Sequence, residues 1–234
     1  MRRQHRGWLC VSVLWAAVLP LFLAASSRAA DDEYRIETTT DALPADELSG
    51  EVAGLIDATG YKIVKGESRT VCELWLCKSW PVQADFKATD AVAYPFSPGQ
   101  LIGVLRFPRK GADFRDQEIA KGLYTLRYDR QPVDGNHVGT SLTRDFLLLV
   151  TADADKSAKP TDTKSLTEQS AAAAESKHPA MLALKKPQAD AGKPTLAHDE
   201  LTDWWIATIV GKAEADGKTS ALPIGIVVVG HANE

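Results

Sequence analysis

Residues 121–150, KGLYTLRYDRQPVDGNHVGTSLTRDFLLLV, carry the clearest pair of strand patterns in the chain. Leu123 to Tyr128 alternates, with Tyr124, Leu126 and Tyr128 on one face and Thr125 and Arg127 on the other, which predicts a strand with one core face and one wet face. Phe146 to Val150 is apolar at every position, so both faces should be covered and the strand should lie centrally in a sheet. Between them, Gln131 to Arg144 contains Pro132, Asp134-Gly135, Asn136 and Gly139, a loop built from turn formers. Tyr124, Leu126, Phe146 and Leu148 are the expected core.

Upstream, the pattern is of further strands with little helix. Pro44 to Ala58 places Leu48, Val52, Leu55 and Ile56 at helical spacing, although Gly50 and Gly54 weaken the helix and make it depend on packing. Tyr61 to Lys65, a turn at Gly66 to Ser68, and Thr70 to Trp80 read as a hairpin. Leu101 to Phe107 is a strand stopped by Pro108, and Asp113 to Ile119 is expected to be another. Asp31 to Asp41 is acidic, Thr-rich and without apolar period, so residues 30–43 read as a flexible segment.

Downstream, residues 151–178 are rich in Ala, Lys, Ser, Thr and Asp and read as a polar, solvated insertion, with a short helix opened by a capping box at Ser165-Leu166-Thr167-Glu168. Met181 to Leu184, Asp203 to Val210 and Ile224 to Gly230 resume the strand pattern, the last two as a pair closed through Asp216-Gly217. Eight or nine short strands with one or two peripheral helices predict a mainly β domain over residues 44–234, most simply a two-layer β-sandwich, with a closed barrel as the alternative.

Residues 1–29 read as a secretory signal peptide: Arg2, Arg3 and Arg6, then the apolar run Trp8 to Ala25, then Ser27-Arg28-Ala29 as an A-x-A-like cleavage site. The expectation is export to a periplasmic or extracellular location, with no membrane span after cleavage. The net charge of −4 for the 234-residue chain becomes −8 once the leader's four arginines are removed, which argues against nucleic acid or an anionic surface as partner. Cys72 and Cys77 remain in the mature chain. Five residues apart on a strand they would be roughly 16 Å from each other on opposite faces, too far for a disulfide, so free thiols are expected.

The chain has no H-E-x-x-H, C-x-x-C, G-x-S-x-G or phosphate-binding glycine loop, so no catalytic residue, metal or cofactor is assigned. Asp153, Asp155 and Ser157 begin a calcium-loop pattern, but Ala158 and Lys164 stand where glycine and a bidentate carboxylate are required, leaving a solvated acidic turn. The candidate ligand-binding residues are His137 and His178 at loop-to-strand junctions, the adjoining Arg144 and Asp145, and Trp205. Trp204 and Trp205 are adjacent on a strand, so one should face the core and one outward.

At KGLYTLRY, DGNHVGTS, DFLLLV and KHPAMLAL the sequence resembles a group of uncharacterised exported bacterial proteins, over roughly Tyr61 to His231. The resemblance implies a β-rich exported domain and brings no activity with it. Three functions stay open. The first is a non-enzymatic binding or structural protein of the cell envelope, with an envelope protein or glycan as partner. The second is a carbohydrate-binding module using Trp204 or Trp205 with Trp75, and the third is a metal-assisted hydrolase using His137 and His178.

Overall fold

The computed structural model describes residues 33–39, 41–133, 143–187 and 192–232. The early strands are β1 (Tyr34–Thr39), β2 (Ile56–Lys65), β3 (Arg69–Cys77), the two-residue β4 (Trp80–Pro81) and β5 (Leu101–Phe107). After the short pair β6 (Gly111–Ala112) and β7 (Glu118–Ile119) come β8 (Gly122–Arg130), β9 (Asp145–Thr151), β10 (Met181–Lys185), β11 (Thr195–Asp199), β12 (Trp204–Ala215) and β13 (Lys218–Val229). Two α-helices are present among the described residues, α1 (Gly50–Leu55) and α2 (Thr163–Ala173).

Ten strands form one antiparallel path, β1-β2-β3-β5-β8-β9-β10-β13-β12-β11, with β4 added in parallel to β12. The expected sandwich is therefore corrected to a nearly closed, barrel-like sheet. Its two end strands approach each other, and at that seam Tyr34 of β1 lies against Trp205 of β12, ring centroids 4.9 Å apart. Register irregularities at Ile56/Gly60, Ile63/Val64, Leu101/Gly103 and Trp205/Ile206 supply the local bending that curls one sheet rather than splitting it in two.

Register assigns the faces. Leu74 pairs with Leu105, Leu105 with Tyr124, Leu126 with Leu149 and Leu184 with Ile226, so these side chains share the inner face. All six are buried. The outer face is covered as well. Phe146 packs near Phe114, and Leu148 and Val150 form a cluster with Leu166 of α2. This second cover explains why β9 is apolar at every position: one side faces the barrel interior and the other lies under a helix and a loop.

It also overturns the wet face of β8. Thr125 and Arg127 are fully buried, beneath the segment between β9 and α2. Arg127 donates to both oxygens of Asp155 and to the carbonyls of Gly99, Lys159 and Ser157, while Thr125 Oγ1 donates to Asp155. The stretch read as a solvated acidic turn thus supplies the counter-ion of a buried arginine. Within the same segment Leu166, Ser170 and Ala173 are buried, and the helix is capped by Asp162, whose side chain accepts from the Ser165 N–H at 3.0 Å, rather than by Ser165.

Several boundaries differ from expectation. The helical stripe after Pro44 becomes a 3-10 turn, Ala45–Glu47, followed by α1, because Ile56 turns extended and enters β2. Tyr34–Thr39 is a strand paired in register along β2. Asp113 to Ile119 is mostly a tight turn in which the Asp113 carboxylate accepts from the N–H groups of Arg115 and Gln117, leaving only the β6–β7 pair. The hairpin of β2 and β3, the limits of β5 and the β12–β13 pair agree with the sequence reading. Cys72 and Cys77 are free and buried.

Candidate functional site

The two ends of the barrel differ. At one end aromatic rings close the interior. Trp80 packs edge-on against Phe96, centroids 5.3 Å apart, and Phe96 contacts Tyr94 and Tyr128. Trp80 Nε1 donates to the Ile102 carbonyl at 2.9 Å, and its ring lies where a side chain on Gly211 would stand, 2.1 Å from the position of a Cβ. Tyr94 donates to the Lys185 carbonyl and accepts from the Gly225 N–H; burial pushes its hydroxyl pKa well up. At this end Trp80, Phe96, Tyr94 and Tyr128 are buried against one another.

The other end is an open cavity of about 900 Å³, within the range of small-ligand pockets, and barrel mouths are a common place for such sites. Its walls come from strand ends. Tyr34, Lys65, Arg69, Val71 and Phe107 stand on the β1–β5 side, and His198, Trp205 and Val228 on the β11–β13 side. Adjacent residues of a strand point to opposite faces, which separates the two tryptophans. Trp204 turns outward and is buried against Phe114, centroids 5.0 Å apart, with Lys185 Nζ 4.7 Å from its ring. Trp205 turns into the mouth, half-buried.

An aromatic group crosses the seam there. His198 stacks on Trp205 at 4.6 Å with the planes 11° apart, and its Nε2 is held by Asp203 Oδ1 at 2.7 Å. Asp203 adopts a φ of 56° and Asp116, also on the rim, a φ of 59°. For residues other than glycine this left-handed backbone is uncommon and concentrates at sites where geometry is imposed from outside the residue.

Charge around the mouth is unevenly committed. Asp113 is saturated, accepting from Arg115, Gln117 and Met181, and Asp203 is engaged by His198. Lys65 and Arg69 are cross-strand partners, and like charges placed opposite each other are mutually destabilising. Lys65 Nζ lies 5.3 Å from the Tyr34 ring. The exposed Arg69 guanidinium makes no side-chain hydrogen bond among the described residues. The mouth therefore offers a group of aromatic rings beside two cations on the β2–β3 edge, with the Asp116 carboxylate elsewhere on the rim, and next to Arg69 it suits a negative group attached to a flat apolar part.

The residues singled out from sequence are spread over different places. Trp205 lies in the mouth. His178 is exposed on the opposite, outer side, at the rim of a smaller cavity beside α2. Asp145 is fully buried and spends its carboxylate on Tyr128 at 2.6 Å and the Ala93 N–H at 2.7 Å, a bond that tightens β8 to β9 and holds the Tyr128 hydroxyl pKa well up, behind the larger effect of burial. Arg144 Nε donates to the Gln131 carbonyl at 2.7 Å and so ties the ends of its own loop. His137 lies outside the described residues. Trp75 is fully buried and Trp204 nearly so, so neither offers a platform to a glycan.

Sequence reasoning missed Tyr34, Arg69 and His198. Tyr34 belongs to a segment read as flexible, His198 to a stretch assigned no element, and Arg69 to a hairpin read for its apolar face. Their one shared signal was position at the end of a strand. No group of three or more His, Cys, Asp or Glu residues arranged to hold a metal occurs among the described residues, and no described helix is long and apolar enough to cross a membrane. Comparison of the chain with protein-family models, with curated proteins and with solved structures gives no match.

Proposed function

We propose that this protein is an exported, non-enzymatic binding protein of the bacterial cell envelope that takes a small organic anion with a planar apolar part at the mouth of its barrel. One observation carries the reading: the interior is plugged by Trp80, Phe96 and Tyr94 at one end and opens at the other into a cavity of about 900 Å³ edged by Arg69, Lys65, His198 and Trp205. A ligand's flat part would lie by the Tyr34–Trp205–His198 rings and its negative group by Arg69.

Titration with indole-3-acetate, benzoate and the corresponding amides, followed by tryptophan fluorescence and calorimetry, tests this. The acids are expected to bind and the amides to bind about tenfold more weakly, a difference of about 1.4 kcal/mol. Arg69→Ala should abolish that preference, and Trp205→Ala should weaken both. No heat and no fluorescence change with any of them at millimolar concentration would remove the proposal. Export is tested separately by mass spectrometry of the protein from fractionated cells, where processing between Ala29 and Ala30 is expected; an intact leader on soluble cytoplasmic protein would refute it.

A further inference from the structure

The mouth holds a histidine whose ring is fixed on two sides. His198 on β11 stands directly opposite Trp205 on β12, so the two side chains share one face, and their rings stack at 4.6 Å with the planes 11° apart. Its edge is held as well, with Nε2 2.7 Å from Asp203 Oδ1. An ionised carboxylate only accepts, so in the neutral ring Nε2 carries the proton and Nδ1 keeps a lone pair. Nδ1 makes no hydrogen bond among the described residues. Protonation therefore turns one nitrogen from acceptor to donor and adds a unit of charge, while the ring keeps its place on the Trp205 face, where a cation is also favoured.

Resting on the anion-binding reading above, we propose that binding at the mouth is proton-linked through His198: the imidazolium form holds the ligand's negative group and the neutral form lets it go. The charged groups around the ring leave this role to it. On its own loop Asp203 is the ring's partner, Asp199 lies 3.7 Å from Lys185 on the outer side, and Glu200 lines the outer cavity with Lys186. From β1 comes Tyr34, whose neighbours Arg35 and Glu37 pair with each other. Lys65 and Arg69 stand across the seam, with Asp113, Asp116 and His231 further round the wall. Imidazole is the side chain whose charge ordinarily changes between about pH 5 and 8, where lysine, arginine and aspartate ordinarily do not. Among these groups the change falls to His198, with His231 as the control. One added charge about 4 Å from an anion is worth about fivefold in affinity even in water, and affinity is lost as pH rises.

Benzoate is titrated into the full chain at about pH 6 and about pH 8, where its own carboxylate stays ionised, and binding is followed by calorimetry and by NMR of the histidine rings. Affinity is expected to be about fivefold higher at the lower pH. His198→Gln, which keeps a planar N–H donor for Asp203 but cannot take a second proton, should flatten that dependence, and His231→Gln should leave it. Should the first variant fold poorly, the wild-type chain still reports: calorimetry near pH 7 in two buffers of different ionisation heat should show proton uptake on binding, and saturating benzoate should move the His198 ring titration to higher pH. Binding with equal affinity at both values, no proton uptake, or a pH dependence unchanged in His198→Gln overturns the inference and leaves the anion-binding reading standing. No binding at either pH removes that reading and this inference with it.

Discussion

Replacing Asp155 with alanine probes the joint between the barrel and its outer cover. Arg127 is 0% exposed and Asp155 4%, and the guanidinium uses all five of its N–H donors, two on the carboxylate and three on the carbonyls of Gly99, Lys159 and Ser157. Removing the carboxylate strands a buried charge with two unpaired donors, a loss of about 3–5 kcal/mol. For a domain whose whole stability is about 5–15 kcal/mol this lowers the melting temperature by roughly 6–20 °C, at about 2–4 °C per kcal/mol.

The double variant Arg127→Met with Asp155→Leu is the sharper measurement. Apolar replacement of an isolated buried ion pair is often neutral, but here it would also remove the Arg127 donors from the carbonyls of Ser157 and Lys159, each costing about 1–3 kcal/mol, while the Gly99 carbonyl keeps the Thr161 N–H. The double variant should therefore remain destabilised by about 2 kcal/mol or more. Urea unfolding followed by tryptophan fluorescence reports both values. A cost below about 1 kcal/mol for Asp155→Ala, or a neutral double variant, would refute the claim that this network pins the 152–162 segment to the sheet.

Other outcomes follow from packing and burial. Gly103→Ala should cost about 1–3 kcal/mol in thermal melts, since a Cβ there would stand 2.3 Å from the Trp75 backbone oxygen of the neighbouring strand; Gly54→Ala in α1, with nothing within 4 Å of the added carbon, should instead gain up to about 1 kcal/mol. Burial pushes the thiols of Cys72 and Cys77 up to about 12. The folded state then holds protons that the unfolded state releases near pH 9, so each thiol's contribution is complete below that pH. Between pH 9 and 12 it is lost, at about 1.4 kcal/mol per pH unit. Urea midpoints between pH 8 and 11 should fall more steeply for the wild-type chain than for Cys72→Ala with Cys77→Ala, and parallel slopes would count against the burial argument.

The legible parts of the fold were those in which one residue pattern has one physical meaning. Leu101 to Phe107 ends at a proline, and the closing pair turns through Asp216-Gly217, so β5, β12 and β13 could be placed from spacing alone. Arg127 could not. An arginine between apolar neighbours reads as a solvated position unless its counter-ion is known, and Asp155 lies 28 residues further on, in a stretch whose composition suggests water. Tyr34 and His198 were hidden for a related reason, because their strands are set by pairing with β2 and β12 and have little apolar period of their own.

By itself the sequence determined that the chain is mainly β, that the β2–β3 and β12–β13 pairs turn near Gly66 and at Asp216-Gly217, and that Trp204 and Trp205 face opposite ways, and it made free thiols at Cys72 and Cys77 the expectation. These follow from local geometry, fixed by the two-residue repeat of a strand and the torsions of glycine and proline. Tertiary structure alone decided that ten strands curl into one barrel-like sheet instead of two layers, which tryptophan enters the cavity, and that Lys65, Arg69, His198 and Trp205 share it. A strand that is apolar on both faces does not record whether its second cover is another sheet or a helix with a loop. Strand order depends on contacts between residues far apart in the chain, and no local pattern encodes those contacts.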